Sequence, residues 1–135
     1  DRLIGADRTN VWRISATNGG SVGSFSFSGF ETLTGGSLAD TFRVSEGVAF
    51  AGSLEGGAGI DKLDYASYAA AVSVNLMTGL ATGISGTVVG IENVTGGSGN
   101  DLIVGDAADN VLIGGSGSAA SSVRPTRVTN AGQRC

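Results

Sequence analysis

Carboxylates carry most of the side-chain chemistry in this chain of 135 residues: twelve acids face eight bases, histidine is absent, and the single cysteine, Cys135, is the last residue. Without imidazole, the usual general base, the Ser/His/Asp and Cys/His arrangements and the nitrogen sites for zinc, copper or haem are excluded. One thiol permits neither an internal disulfide nor a thiolate cluster. Arg124, Arg127 and Arg134 follow Gly117 in a stretch without acids, so residues 1–117 hold twelve acids against five bases, a net charge of −7. Such a body repels nucleic acid, whose phosphates need Lys and Arg, and suits a cation instead. Asp61 and Asp64 have the residue types for glycoside hydrolysis, but an odd separation along one strand sends them to opposite faces.

The elements that position these acids are built around glycine, which supplies 24 of the 135 residues. Collagen would need glycine at every third position with abundant proline, and a flexible linker would lack the 41% hydrophobic content. The glycines therefore sit at recurrent turns of one folded domain. The sequence repeats itself: Phe30-Glu31-Thr32-Leu33-Thr34-Gly35-Gly36-Ser37 matches Ile91-Glu92-Asn93-Val94-Thr95-Gly96-Gly97-Ser98, and both copies run on to an Asp, Asp40 and Asp101. Gly5 to Ile14, with Asn10-Val11, resembles Gly105 to Gly114, with Asn110-Val111. A unit of nine residues lies inside, since Gly96 to Val104 is followed at once by Gly105 to Ile113 and then by Gly114-Gly115-Ser116-Gly117. Degenerate copies begin at Gly35 and Gly56.

Two residues after each Asp or Asn stands a large apolar residue: Trp12, Phe42, Leu63, Ile103 and Leu112. Polar neighbours beside one apolar residue predict short half-buried strands, each preceded by a glycine turn. Val72, Val74 and Leu76 alternate likewise, and Tyr65 to Ala71 reads as either a helical turn or a corner. The longest apolar run, Tyr68 to Val72, falls far short of the roughly 18 residues of a membrane span. Asn93-Val94-Thr95 has the form of a glycosylation acceptor, but inside a tight turn it reads as chance. The repeat domain covers residues 1–117, and 118–135 read as a flexible tail without repeats. Beginning at Asp1, the chain reads as a piece of a longer polypeptide or a processed product.

Gly96 to Val104 resembles the Gly-Gly-x-Gly-x-Asp-x-apolar-x nonapeptide of the repeats-in-toxin (RTX) family at every specified position. The resemblance implies a parallel β-solenoid, a β-roll or β-helix of short strands with Gly-Asp turns that bind Ca2+ between successive coils. Calcium takes six to eight oxygens at about 2.3–2.6 Å, so carboxylates and carbonyls of two stacked turns together complete a shell. Glycines would let carbonyls point inward through positive φ. Carried over, the ligands are Asp101 with Gly96, Ser98 and Asn100, facing Gly114 and Ser116 in the next turn on that side. Ala119 stands where that second turn should have its Asp. Asp106 and Asp109 substitute for the Asp that Asn110 replaces, and Asp61 is a further candidate. For Asp7, Asn10 and Asp40 the favoured reading is metal-free, with side chains bonding backbone N–H groups.

The resemblance also implies a secreted or cell-surface bacterial protein, folding where calcium is abundant, with metal in place of disulfides. The expected function is a non-enzymatic adhesin-like stalk, without membrane insertion, whose open ends favour self-association. The alternative is the repeat module of a secreted protease, lipase or alginate epimerase, aiding export, folding or substrate contact. A third reading, a polysaccharide lyase-like β-helix, would use Lys62 or Arg43.

Overall fold

The computed structural model describes residues 1–117, 120–121 and 126–129, which form strands and turns and no helix. In chain order the strands are β1 (Arg2–Ile4), β2 (Val11–Ala16), β3 (Gly19–Val22), β4 (Phe25–Ser28), β5 (Thr32–Gly36), β6 (Thr41–Val44), β7 (Ser53–Gly57) and β8 (Lys62–Asp64). They continue as β9 (Ser73–Asn75), β10 (Leu80–Ala81), β11 (Val88–Val89), β12 (Asn93–Thr95), β13 (Leu102–Val104), β14 (Asn110–Ile113), β15 (Ala120–Ser121) and β16 (Thr126–Thr129). β15 and β16 fall within the segment read as a tail; the remainder of 118–135 lies outside the described residues. Tyr65 to Ala71 forms a corner, closed by the Tyr68 N–H donating to the Tyr65 carbonyl at 2.9 Å.

The all-β expectation holds, but the sheets are mixed rather than uniformly parallel. The first sheet, in the order β1-β5-β7-β11, is parallel throughout. The second runs β16-β14-β12-β8-β6-β2-β3-β4, parallel except where β2, β3 and β4 turn back antiparallel. The third, β10-β9-β13-β15, is parallel apart from the β9-β10 pair. From β12 onward the chain alternates between the second and third sheets, and Asn93 stands opposite Val111, so one pass takes 18 residues, two nonapeptides. Earlier passes are longer: Trp12 lies opposite Phe42 and Lys62 opposite Asn93, and the returning β3-β4 and β9-β10 segments absorb the extra residues.

Alternation decides what each strand buries. In Thr41-Phe42-Arg43-Val44 the phenyl ring and the Val are buried while Arg43 is exposed. Register then stacks the inward residues into ladders, Trp12-Phe42-Leu63-Val94-Leu112 in the second sheet and Leu33-Leu54-Val88 in the first. Val74 and Ile103 do the same in the third. The five residues marked by their place after Asp or Asn, namely Trp12, Phe42, Leu63, Ile103 and Leu112, are all fully buried. Each such side chain contributes about 1.5–3 kcal/mol on burial, and together they form one core.

Candidate metal centre

The residues just before β2, β6, β8 and β12, with the first residue of β14, form one polar column. Registers place Asn10, Asp40, Asp61, Glu92 and Asn110 in successive layers. Asp40 Oδ1 accepts the Asn10 N–H at 2.7 Å and its Nδ2 at 2.8 Å; Asp61 Oδ1 accepts the Asp40 N–H at 2.7 Å. Glu92 Oε2 closes the series on the Asp61 N–H at 2.8 Å. Each carboxylate thus secures the turn of the preceding layer; Asp40 bonds a backbone N–H as expected, whereas the Asn10 amide instead donates to the Ala6 and Arg8 carbonyls. Asp7, the third residue of that reading, is exposed. Oδ2 of both Asp40 and Asp61 is buried without a hydrogen-bond partner. Burial pushes the Asp61 carboxyl up to about 6; the Asp40 N–H opposes this, and the charges of Glu92 and Asp40 add to it.

Glycine earns its place in these turns by size. A Cβ on Gly35 would stand 2.4 Å from Asp40 Oδ2, one on Gly56 2.6 Å from Asp61 Oδ2, and one on Gly96 2.3 Å from Asp101 Oδ2. Gly105 and Asn110 Oδ1 repeat the relation at 2.3 Å. The expected positive φ is absent at Gly35, Gly56, Gly96 and Gly105 and occurs instead at positions such as Gly57 (φ 102°) and Gly115 (φ 82°). The carboxyl five residues on packs against the bare Cα, so missing side-chain volume is what the first glycine of the turn supplies.

At the other end of the second-sheet strands, the Gly96–Asp101 turn joins β12 to β13. Asp101 is buried, its Oδ1 accepting the Val72 N–H at 2.9 Å and its Oδ2 the Gly97 N–H at 3.0 Å. The turn is stacked from both sides. The Ser98 N–H donates to the Tyr68 carbonyl at 2.9 Å, and the Gly96 N–H to the Ile113 carbonyl at 2.7 Å. Across the second seam, a Cβ on Gly115 would come within 1.9 Å of the Gly97 oxygen and one on Gly117 within 1.7 Å of the Gly99 oxygen. Gly96, Ser98, Asn100 and Asp101 are therefore brought beside the Gly114–Gly117 turn, with Ser98, Asn100 and Ser116 exposed. Ala119 lies outside the described residues.

Residues 88–118 match the family model of the RTX calcium-binding nonapeptide repeat, in 4 copies. Over these residues the chain is similar to the RTX calcium-binding repeats. RTX nonapeptide repeats bind Ca2+, and the segment spans β11 to the Gly114–Gly117 turn. No curated protein and no solved structure matches the chain. Among the described residues no three of His, Cys, Asp and Glu converge to hold a metal, so main-chain carbonyls must supply much of an RTX shell here. The Gly97 and Gly99 oxygens lie along the glycine seam and the Asp101 carboxylate, whose oxygens accept the Val72 and Gly97 N–H groups, lies behind it; oxygens are the donors a hard cation takes.

The remaining candidates are placed apart. Asp106, half-buried, accepts the Ala108 N–H at 2.9 Å and the Asn110 amide at 3.1 Å through Oδ1, while Asp109 is exposed. They belong to the β13-β14 turn; residues 122–125, between β15 and β16 in sequence, lie outside the described residues. Asp61 stands in the column at the opposite end of the strands from Gly96, and Asp64 instead pairs with Arg43 at 3.4 Å. Thr95 Oγ1 is buried and the Asn93 carbonyl oxygen of the side chain accepts the Val111 N–H at 3.1 Å, so that acceptor triplet is engaged in the sheet. Glu92 and Tyr68 escaped the sequence reading: neither follows a glycine turn of the Asp type, and only the strand register reveals them.

Proposed function

We propose that the chain is a non-enzymatic, calcium-binding β-solenoid module of a secreted or surface bacterial protein, serving as an adhesin-like stalk. The observation that carries this reading is the stacking of the Gly96–Asp101 turn on Gly114–Gly117, one pass of 18 residues apart, inside the RTX segment. Calcium bound along that seam would be held by carbonyls of Gly97 and Gly99 and by Asp101, adding a joint to two passes already paired through β12 and β14. Ser98, Asn100, Gly114 and Ser116 complete the proposed site, with Asp106 and Asp109 at a second one. Among the described residues no helix is long and apolar enough to cross a membrane. Circular dichroism during calcium titration, on the parent chain and on Asp101→Ala, tests the proposal. Folding should strengthen with calcium in the parent and respond much less in the variant. A parent chain equally folded and equally stable in chelator overturns it.

A further inference from the structure

The five bases of residues 1–117 are Arg2, Arg8, Arg13, Arg43 and Lys62, and three of them share the outer face of the second sheet. Register sets Arg13 directly opposite Arg43, and Lys62 two positions from Asp64, the residue opposite Arg43. Adjacent strands lie about 4.8 Å apart, and like charges facing each other across that gap are destabilising. The acidic remainder of the chain offers this pair one partner. Asp64 approaches Arg43 Nε at 3.4 Å, and among the described residues no ion pair engages Arg13, Lys62 or the outer guanidinium nitrogens of Arg43. Arg13 and Arg43 are exposed, and a depression of about 280 Å³ opens beside Arg43, lined also by Asp64, Ala66 and Ser67.

We infer that this face binds an acidic polysaccharide through its carboxylates. Guanidinium groups at strand spacing suit a ligand with one anionic group per ring, and the neighbouring Ser21 and Thr41 side chains offer hydroxyls to sugar hydroxyls. Among the described residues the outer face of β2, β6 and β8 carries no exposed aromatic ring on which a base could stack, and the −7 body disfavours the dense charge of a nucleic acid. The inference does not rest on calcium.

Calorimetric titration with short oligogalacturonates at fixed calcium tests it, with dextran as neutral control and duplex DNA as a second polyanion. Arg13→Gln combined with Arg43→Gln should weaken oligogalacturonate binding by about tenfold or more. Arg8→Gln, which removes one positive charge off this face, should leave it unchanged, and Lys at both positions should retain binding. Circular dichroism establishes that each variant is folded. No binding by the parent chain, equal weakening by Arg8→Gln, or DNA bound as tightly as the oligogalacturonate overturns the inference.

Discussion

The main-chain N–H of Asp40 donates to Oδ1 of Asp61 at 2.7 Å across 21 residues of chain, and Asp40 Oδ1 in turn receives the N–H of Asn10. Buried side chains thus do the work that main-chain partners do elsewhere in the sheet. They tie consecutive layers at the point where the chain turns.

Asp40→Ala should therefore destabilise the chain more than Asp40→Asn. The alanine leaves the buried Asn10 N–H without its acceptor, at about 1–3 kcal/mol, whereas asparagine keeps one oxygen in place. Urea unfolding midpoints of the two variants measure the difference, and equal midpoints would show that the column carries no load.

Asp61 makes stability depend on pH with a definite sign. Its carboxyl is raised from 3.8 to about 6 in the folded chain, so the folded state holds the proton more tightly than the unfolded one. Its contribution is complete below pH 3.8, declines as pH rises through the interval to about 6, and is gone above it. Between pH 3.8 and about 6 the parent chain should lose stability relative to Asp61→Asn, which has no carboxyl to ionise there. Parallel pH profiles for the two chains would remove Asp61 as the source.

Gly35→Ala and Gly96→Ala should both be strongly destabilising, since each new methyl meets a carboxylate oxygen within 2.4 Å and, at Gly35, the Gly56 carbonyl at 2.1 Å. Overpacking of this kind costs about 1–3 kcal/mol or more. Ala at Gly86, where the nearest atom is the Ser53 hydroxyl at 2.4 Å but the Gly52 carbonyl also lies at 2.5 Å, should behave alike despite standing in no Asp turn. Thermal melts of the three variants check whether space, rather than the repeat motif, sets the requirement.

Phe42→Ala should remove one face of the Trp12 stack, whose ring centroids lie 5.5 Å apart at 13° from parallel. A loss of about 3–5 kcal/mol is expected. Trp12 is the single tryptophan, so its fluorescence reports the same event directly.

Much of the core was legible from one rule, an apolar residue two places after each Asp or Asn, because local alternation alone decides which side chain points inward. Layer assignment was not legible in the same way. The two copies related by Phe30 to Ser37 and Ile91 to Ser98 fall in different sheets, β5 in the first and β12 in the second. Their likeness records a local strand and turn, while the layer each joins depends on how many residues the preceding pass consumed. For the site, the Gly96 and Gly114 turns could be paired from their spacing, but the Tyr68 corner on the other side has no glycine signature. Glu92 likewise enters the column by register with a longer side chain than its neighbours.

The unequal passes also have a mechanical meaning. Tension along the stacking direction separates layer from layer, and each released layer frees its own length of chain. The 18-residue pass from Asn93 to Val111 would yield up to about 60 Å of extended chain, and the 30-residue pass from Trp12 to Phe42 up to about 100 Å. A filament built this way lengthens under load in unequal steps, each set by one returning segment.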